Sequence, residues 1–262
     1  MKINFHKYQG TGNDFIILDN RNEGLSPDVK LVASLCDRRF GIGADGLMLL
    51  NNKPGFDFGM TYFNSDGKES SMCGNGGRCM TAFAGKIGLI GIESRFYAID
   101  GEHHSNILKD NGDEMIISLK MKDVQVFSQP GEHYFIHTGS PHYILFGENV
   151  ETMDILKKAR EIRYSDPYTE EGTNVDFVEF LDDCLFVRSY ERGVEDETLS
   201  CGTGVTAAAI AAAMMRPGNP GMFRIRTRGG ELKVSFKQDH DSFTDIWLEG
   251  PATYVFSGEI NI

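Results

Sequence analysis

Two cysteines open matching glycine-rich segments, Cys73-Gly74-Asn75-Gly76-Gly77 and Cys201-Gly202-Thr203-Gly204-Val205, 128 residues apart (73 to 201). Each is followed by small residues suited to a helix, and after the second Arg216-Pro217-Gly218 supplies a stop signal. A thiol at a helix start lies among N–H groups with no partner inside the helix and at the positive end of its dipole. Both favour thiolate over thiol. Holding a cysteine of ordinary pKa, about 8.5, as thiolate at pH 7 costs roughly 2 kcal/mol, and a helix start returns about 0.3–2 kcal/mol plus hydrogen bonds. The result is a base usable at neutral pH. The same N–H groups can bind a carboxylate and bring its α-carbon between the sulfurs. One thiolate then removes the α-proton from one face while the opposite thiol protonates the other, and the stereocentre inverts. The carbanion's charge spreads into the carboxylate, where the helix N–H groups stabilise it.

Other chemistries fit less well. Cys36 and Cys184 read as packing residues, and Cys79 falls inside the first small-residue helix. No C-x-x-C is present, and Cys73 and Cys79 are too far apart for a zinc knuckle, so no metal is expected. Gly41-Ile42-Gly43-Ala44-Asp45-Gly46 has a dinucleotide spacing, but a predicted helix precedes it and a strand follows, the reverse of the required order. No lysine stands in a pyridoxal-phosphate context, so no cofactor is expected. His133, His137 and His142 do not have the spacing of a metal helix, although His142 follows the turn Gly139-Ser140-Pro141.

The positioning elements are short strands and a few helices. Strands are predicted at 15–18, 46–50, 59–63, 115–119, 143–146, 176–181, 184–189, 223–227, 232–236 and 244–248. Helices are predicted from Pro27, at N1 after Ser26, to Arg39, from Cys73 to Ile87, at 153–162 and after Cys201. The 128-residue shift also carries Tyr62 to Tyr190, Glu69 to Glu197, Ala84 to Ala212 and Phe15-Ile16-Ile17 to Tyr143-Ile144-Leu145. An internal duplication is the simplest account. Each half reads as a sheet with two helices, and a stretch as apolar as Ala207 to Met215 should be enclosed by protein. The pattern weakens after Lys120, with a turn at Pro130-Gly131, so the boundary is placed near residue 120 and the site is expected between the lobes.

With 40% hydrophobic and 24% charged residues, the composition is that of an ordinary globular protein. A net charge of −12 argues against nucleic-acid or anionic-membrane partners. Arg224, Arg226 and Arg228 read as one solvated strand face. Five cysteines fit a reducing compartment, and the amino terminus lacks a secretory core, so a cytoplasmic location is expected.

The segments Gly10-Thr11-Gly12-Asn13-Asp14-Phe15, Phe63-Asn64-Ser65-Asp66-Gly67, Cys73 to Cys79, Gly172-Thr173-Asn174-Val175-Asp176-Phe177, Tyr190-Glu191-Arg192-Gly193 and Cys201 to Gly204 together resemble the diaminopimelate epimerase family. The resemblance implies an α/β fold of the α+β type, with two pseudo-symmetric lobes, each a curved, mostly antiparallel sheet wrapped around a central helix. It places the lobes at 1–120 and 121–249, with a strand at about 250–262 returning to the first. It implies cofactor-independent interconversion of LL- and meso-diaminopimelate, with Cys73 and Cys201 as the acid/base pair. Gly74, Asn75, Gly202 and Thr203 would bind the reacting carboxylate. Asn13, Asn64, Asn174, Glu191 and Arg192 would bind the distal end, where Arg192 offers a planar fork and Glu191 an ammonium partner. His142 and Glu191 would tune the thiols. Ser140 replaces an asparagine frequent in the family, and Gly46 stands where some members have glutamine. The partner is a small amino acid, and the number of copies is open, with a homodimer as one option. A proline or hydroxyproline racemase of the same superfamily is the nearest rival, and a redox-sensing or amino-acid-binding protein is the non-enzymatic one.

Overall fold

The computed structural model describes residues 2–126, 133–166, 168–216, 218 and 221–262. The expected turn at Pro130-Gly131 and the stop residue Pro217 lie outside them. The chain forms two units, residues 1–119 with 250–262, and residues 120–249.

The first unit contains β1 (Lys2–Gly10), β2 (Asn13–Asp19), α1 (Val29–Cys36), β3 (Gly46–Asn51), β4 (Phe58–Asn64), β5 (Glu69–Ser70), α2 (Gly74–Lys86), β6 (Glu93–Ala98), β7 (Gly101–Asp110) and β8 (Glu114–Lys120). The second contains β9 (Val124–Gln125), β10 (Tyr134–His137), β11 (Pro141–Phe146), α3 (Ile155–Arg163), β12 (Asn174–Phe180), β13 (Leu185–Glu191), β14 (Asp196–Thr198), α4 (Gly202–Met215), β15 (Met222–Thr227), β16 (Gly230–Asp239) and the start of β17 (Ser242–Asn261). From Gly250 onward β17 belongs to the first unit, pairing β8 along one edge and β1 along the other. With the β1–β2, β2–β3, β3–β4, β4–β6, β6–β7 and β7–β8 ladders, this closes the first unit's sheet on itself.

That closed sheet encloses α2. Every residue of α2 from Gly74 to Ala84 is buried, and the helix packs against β1, β2, β3 and β7. In the second unit α4 touches β10, β11, β12, β13, β15 and β16, and Ala207 to Ala213 have no exposed surface. Alanine and glycine let a helix sit where larger side chains would overfill the interior. Large residues then come from the strands, as with fully buried Phe15, Phe58, Phe96 and Phe177. The shorter helices cover the outside: α1 packs on Ile16, Leu18, Leu47 and Leu49, and α3 on Val175, Phe177, Phe186 and Tyr190.

The two units repeat each other in ladder order. β2–β3 and β4–β6 are parallel in the first, as β11–β12 and β13–β15 are in the second. The register corrects part of the expected correspondence. Gly46 pairs with Phe15, whereas Asn174 pairs with His142, so the counterpart of Phe15 is His142 and not Tyr143. Leu47 pairs with Phe63 and Val175 with Tyr190, so Tyr190 matches Phe63 and not Tyr62. A one-residue difference in strand spacing moves side chains to the opposite face, which the helix and cysteine spacing alone could not reveal.

Helix α1 is also shorter than expected. Asp28, not Ser26, is the cap, accepting the Leu31 N–H at 2.8 Å. The helix stops at Cys36 because the Ile42 and Gly43 N–H groups fold back to the Leu35 carbonyl. A Cβ at Gly41 would lie 2.1 Å from the Ser34 carbonyl oxygen. The glycines of this loop thus serve close chain approach. Strands β1, β5, β6, β7, β9, β10 and β14 were not anticipated, and β17 runs without a break through the strand expected at 244–248 and the one expected at about 250–262. Arg224 and Arg226 do share an exposed face of β15, pairing with Asp183, Glu231 and Glu151, whereas Arg228 lies past the strand and pairs with Glu197. No helix among the described residues is long and apolar enough to cross a membrane.

Gly67 joins β4 and β5 to α1: its φ is +89°, and a Cβ there would lie 2.4 Å from the Val29 carbonyl oxygen. Gly55, at φ +84°, has nothing within 4 Å. Gly55→Ala is expected to cost only the left-handed backbone penalty of about 1–2 kcal/mol, and Gly67→Ala at least about 1 kcal/mol more for the displaced backbone. Urea midpoints of the two variants measure the difference, and equal losses would contradict the assigned contact.

Candidate functional site

Cys73 is the N-cap of α2, with extended φ and ψ of −87° and 133°. Its sulfur lies 3.6 Å from Asn13 Oδ1, which also accepts from Asn75 Nδ2 at 3.3 Å. The orientation of Asn13 is fixed from behind: Asp45 Oδ2 can only accept, and it takes the Asn13 amide N–H at 2.7 Å. Arg38 donates to both Asp14 oxygens and to Asp45, while half-buried Asp14 also pairs with buried Lys7, whose ammonium donates to the Gly43 carbonyl. A chain of charges from β1 through the glycine loop therefore ends in the amide that faces the first cysteine.

Arg78, on the second turn of α2 itself, has no exposed surface. It donates to the Gly74 carbonyl at 3.3 Å, Asn75 Oδ1 at 2.9 Å, Thr11 Oγ1 at 3.4 Å and the Pro251 carbonyl at 3.3 Å. Asn75 is thereby held between Asn13 and Arg78. Burial depresses the Arg78 pKa, and Cys79 and Cys73 oppose that shift. Burial pushes the Cys79 thiol up to about 12 and the Cys36 thiol to about 11, which fits both as packing residues. Asn64 lies exposed at the end of β4, opposite Gly46 in the ladder. A Cβ at Gly46 would sit 2.5 Å from the Tyr62 ring, so Tyr62 occupies the space that a larger residue there would need.

Cys201 caps α4 in the same way, but carboxylates and an imidazole join its surroundings. Its sulfur lies 3.4 Å from Thr203 Oγ1, and Thr203 Oγ1 lies 2.9 Å from His142 Nε2. His142 Nδ1 is 2.6 Å from Asp176 Oδ2, and neither side chain has exposed surface. Ser189 donates to the other Asp176 oxygen at 2.5 Å. Asn174 donates to the Pro141 carbonyl at 2.9 Å and accepts the Arg192 N–H at 2.9 Å. The Arg192 guanidinium donates to the Glu171 carbonyl at 2.6 Å, and Glu191 accepts from Thr198 Oγ1 at 2.5 Å. Gly202 is buried in the first turn of α4, and the Thr203 carbonyl accepts from Thr138 Oγ1 at 2.9 Å.

Within each unit the anticipated residues converge: Asn13, Gly74 and Asn75 at Cys73, and His142, Asn174, Glu191, Gly202 and Thr203 around Cys201. The expected ease of ionisation does not hold for Cys201. Burial first, then the Glu191 and Asp176 carboxylates, pushes its thiol well above the ordinary range, and the hydrogen bonds with Thr203 and with the Gly204 backbone only partly counter them. A helix start of about 0.3–2 kcal/mol loses to desolvation beside two carboxylates. Glu191 is itself raised by burial first and by Asp176, against contributions from Thr198, His142 and the Cys201 thiol. Thr11, Asp45, Arg78, Asp176 and Ser189 were not anticipated as site residues. Asn174 and Asp176 share one strand face while Val175 and Phe177 share the other, a signal present in the alternation.

Burial raises Asp14, yet the hydrogen bonds and charges of Arg38 and Lys7 outweigh it and hold this carboxyl well below the usual range. A depressed folded pKa contributes stability above the unfolded value, about 3.9, that is lost as pH falls through the folded one. Asp14→Asn strands buried Lys7 and is expected to cost about 3 kcal/mol at pH 7, with the gap to the parent protein closing below pH ~4. Urea unfolding at a series of pH values checks this, and a gap independent of pH would contradict it.

The family profile described as diaminopimelate epimerase matches residues 5–124 and 134–255. A diaminopimelate epimerase of Flavobacterium psychrophilum is 49% identical over 260 residues, covering 98% of this chain and all of that protein. One from Chlorobaculum tepidum is 39% identical over 97% of this chain and 99% of its own length. Among solved structures, a PhzF-family phenazine biosynthesis protein of Bacillus anthracis matches with TM-score 0.75 at 15% identity, covering the whole of both chains. A hydroxyproline epimerase of Agrobacterium vitis, with bound trans-4-hydroxy-L-proline, gives 0.70 at 13% identity over 99% of this chain and 92% of its own. Those distant structures share the fold, while the profile and the near-full-length relatives carry the assignment: this chain belongs to the diaminopimelate epimerase family.

Proposed function

We propose that this chain interconverts LL- and meso-diaminopimelate by a cofactor-independent two-thiol reaction. The observation that carries the reading is the pair of cysteine N-caps, each on a buried small-residue helix and each inside a family-matched segment. In the proposed reaction one sulfur, as thiolate, takes the α-hydrogen and the other, as thiol, delivers a hydrogen to the opposite face. The first-turn N–H groups at Gly74, Asn75, Gly202 and Thr203 receive the carboxylate and stabilise the charge that develops on it.

Asn13, Asn64, Asn174, Glu191 and Arg192 bind the distal amino-acid end in this reading. The guanidinium is a bidentate carboxylate ligand and Glu191 an ammonium partner. His142 and Glu191 set the protonation of the thiols. The raised Cys201 thiol suits a proton-donating role. A cytosolic setting keeps all five cysteines free, as they are here.

Cys73→Ala and Cys201→Ala are each expected to lower diaminopimelate epimerisation at least 1,000-fold, on the order of 4 kcal/mol in the barrier, with unchanged circular dichroism. Activity within tenfold of the parent in either variant would exclude the two-thiol scheme. Turnover of proline in place of diaminopimelate would favour the racemase reading instead.

A further inference from the structure

The floors beneath the two cysteine helices differ in kind. Under α2, Gly76 rests against Met48 and Phe15, and Tyr62 packs edge-on to Phe15 at 5.9 Å. The register-equivalent positions under α4 are His142, Asp176 and Ser189. A Cβ at Gly204 would lie 2.6 Å from Asp176 Oδ1 and 3.1 Å from Ser189 Oγ, so the helix is seated directly on this polar group. Burying a carboxylate with no exposed surface is expensive, and packing alone would favour the apolar solution found in the first unit.

The hydrogen bonds around His142 fix one tautomer. Asn174 is oriented by the Pro141 carbonyl, which only accepts, and by the Arg192 N–H, which only donates, so its Nδ2 points a donor toward His142 Nε2 at 3.5 Å. His142 Nε2 is therefore an acceptor and Nδ1 carries the proton, directed at Asp176 Oδ2. With Nε2 as acceptor, Thr203 donates to it at 2.9 Å, and the Thr203 oxygen faces the Cys201 sulfur at 3.4 Å, a thiol that also hydrogen-bonds the Glu191 carboxylate.

We propose that Asp176 is a positioning residue that holds His142 in the Nδ1–H tautomer, so that Cys201 is deprotonated through Thr203 to His142 Nε2. The Cys201 proton passes to Thr203 Oγ1 as the Thr203 hydroxyl proton passes to Nε2. The sulfur is left as thiolate, the hydroxyl is regenerated, and His142 is an imidazolium between Nε2–H and Nδ1–H, the latter facing the Asp176 carboxylate. The charged and titratable groups around Cys201 and His142 are Glu191 on β13 and Asp176 on β12. The inference rests on Cys201 being a reacting thiol, but its test needs neither substrate nor turnover.

The test is modification of Cys201 and Cys73 by methyl methanethiosulfonate at pH 8, followed by peptide mass spectrometry, in the parent protein, Asp176→Asn and Thr203→Val. An asparagine at 176, with Ser189 donating to its oxygen, turns its amide N–H toward His142 Nδ1 and moves the ring proton to Nε2. The relay then predicts at least a tenfold slower reaction at Cys201 in both variants, with Cys73 unchanged as the reference within the same molecule. If Asp176 acted only as a negative charge beside the sulfur, its removal would ease ionisation and speed the reaction. An unchanged or faster Cys201 rate in Asp176→Asn overturns the proposal. Should that variant fail to fold, an unchanged or faster rate in Thr203→Val does so.

Discussion

A helix that starts inside a protein core has first-turn N–H groups with no partner inside the helix, and the organisation of this chain follows from that constraint. Both α2 and α4 begin buried, and both are built of residues small enough to be enclosed by strands. Their starts are anion-favouring positions by construction. A cysteine at each start converts a structural demand into a chemical one, because the charge that the helix favours is that of a thiolate or a bound carboxylate.

The opposing quantity is desolvation, and the two units balance it differently. At Cys73 the neighbouring groups are neutral amides backed by the buried Arg78 guanidinium. At Cys201 they include two carboxylates and a histidine, and burial beside those carboxylates raises the thiol. Duplicated architecture thus carries unequal electrostatics at the two helix starts.

Much of this was legible in the residues. The glycine-rich cysteine segments, the helix-forming alanines and the strand alternation at 46–50 and 176–181 located both helix starts and much of the sheet. What was hidden depended on register. The counterpart of Phe15 is His142 only because β2 and β11 pair with their neighbours one residue away from the helix spacing, and sequence offset cannot report that. Asp176 escaped notice because a single acidic residue in a strand has no distinctive spacing, although its alternation with Val175 and Phe177 marked the face it takes. The helix-dipole argument failed at Cys201 for a related reason: carboxylates at 176 and 191 are distant from the thiol along the chain and reach it only through the sheet.

The central claim is that two different groups handle the hydrogen on the two faces of one carbon. The most direct measurement is epimerisation begun in deuterium oxide from each diaminopimelate isomer separately, with product and residual substrate analysed by mass spectrometry within the first few per cent of conversion. Two thiols require solvent deuterium at the inverted α-carbon of the product while unreacted substrate keeps its hydrogen. Substrate hydrogen returned to the inverted carbon would mean that a single group serves both faces, and would contradict the account.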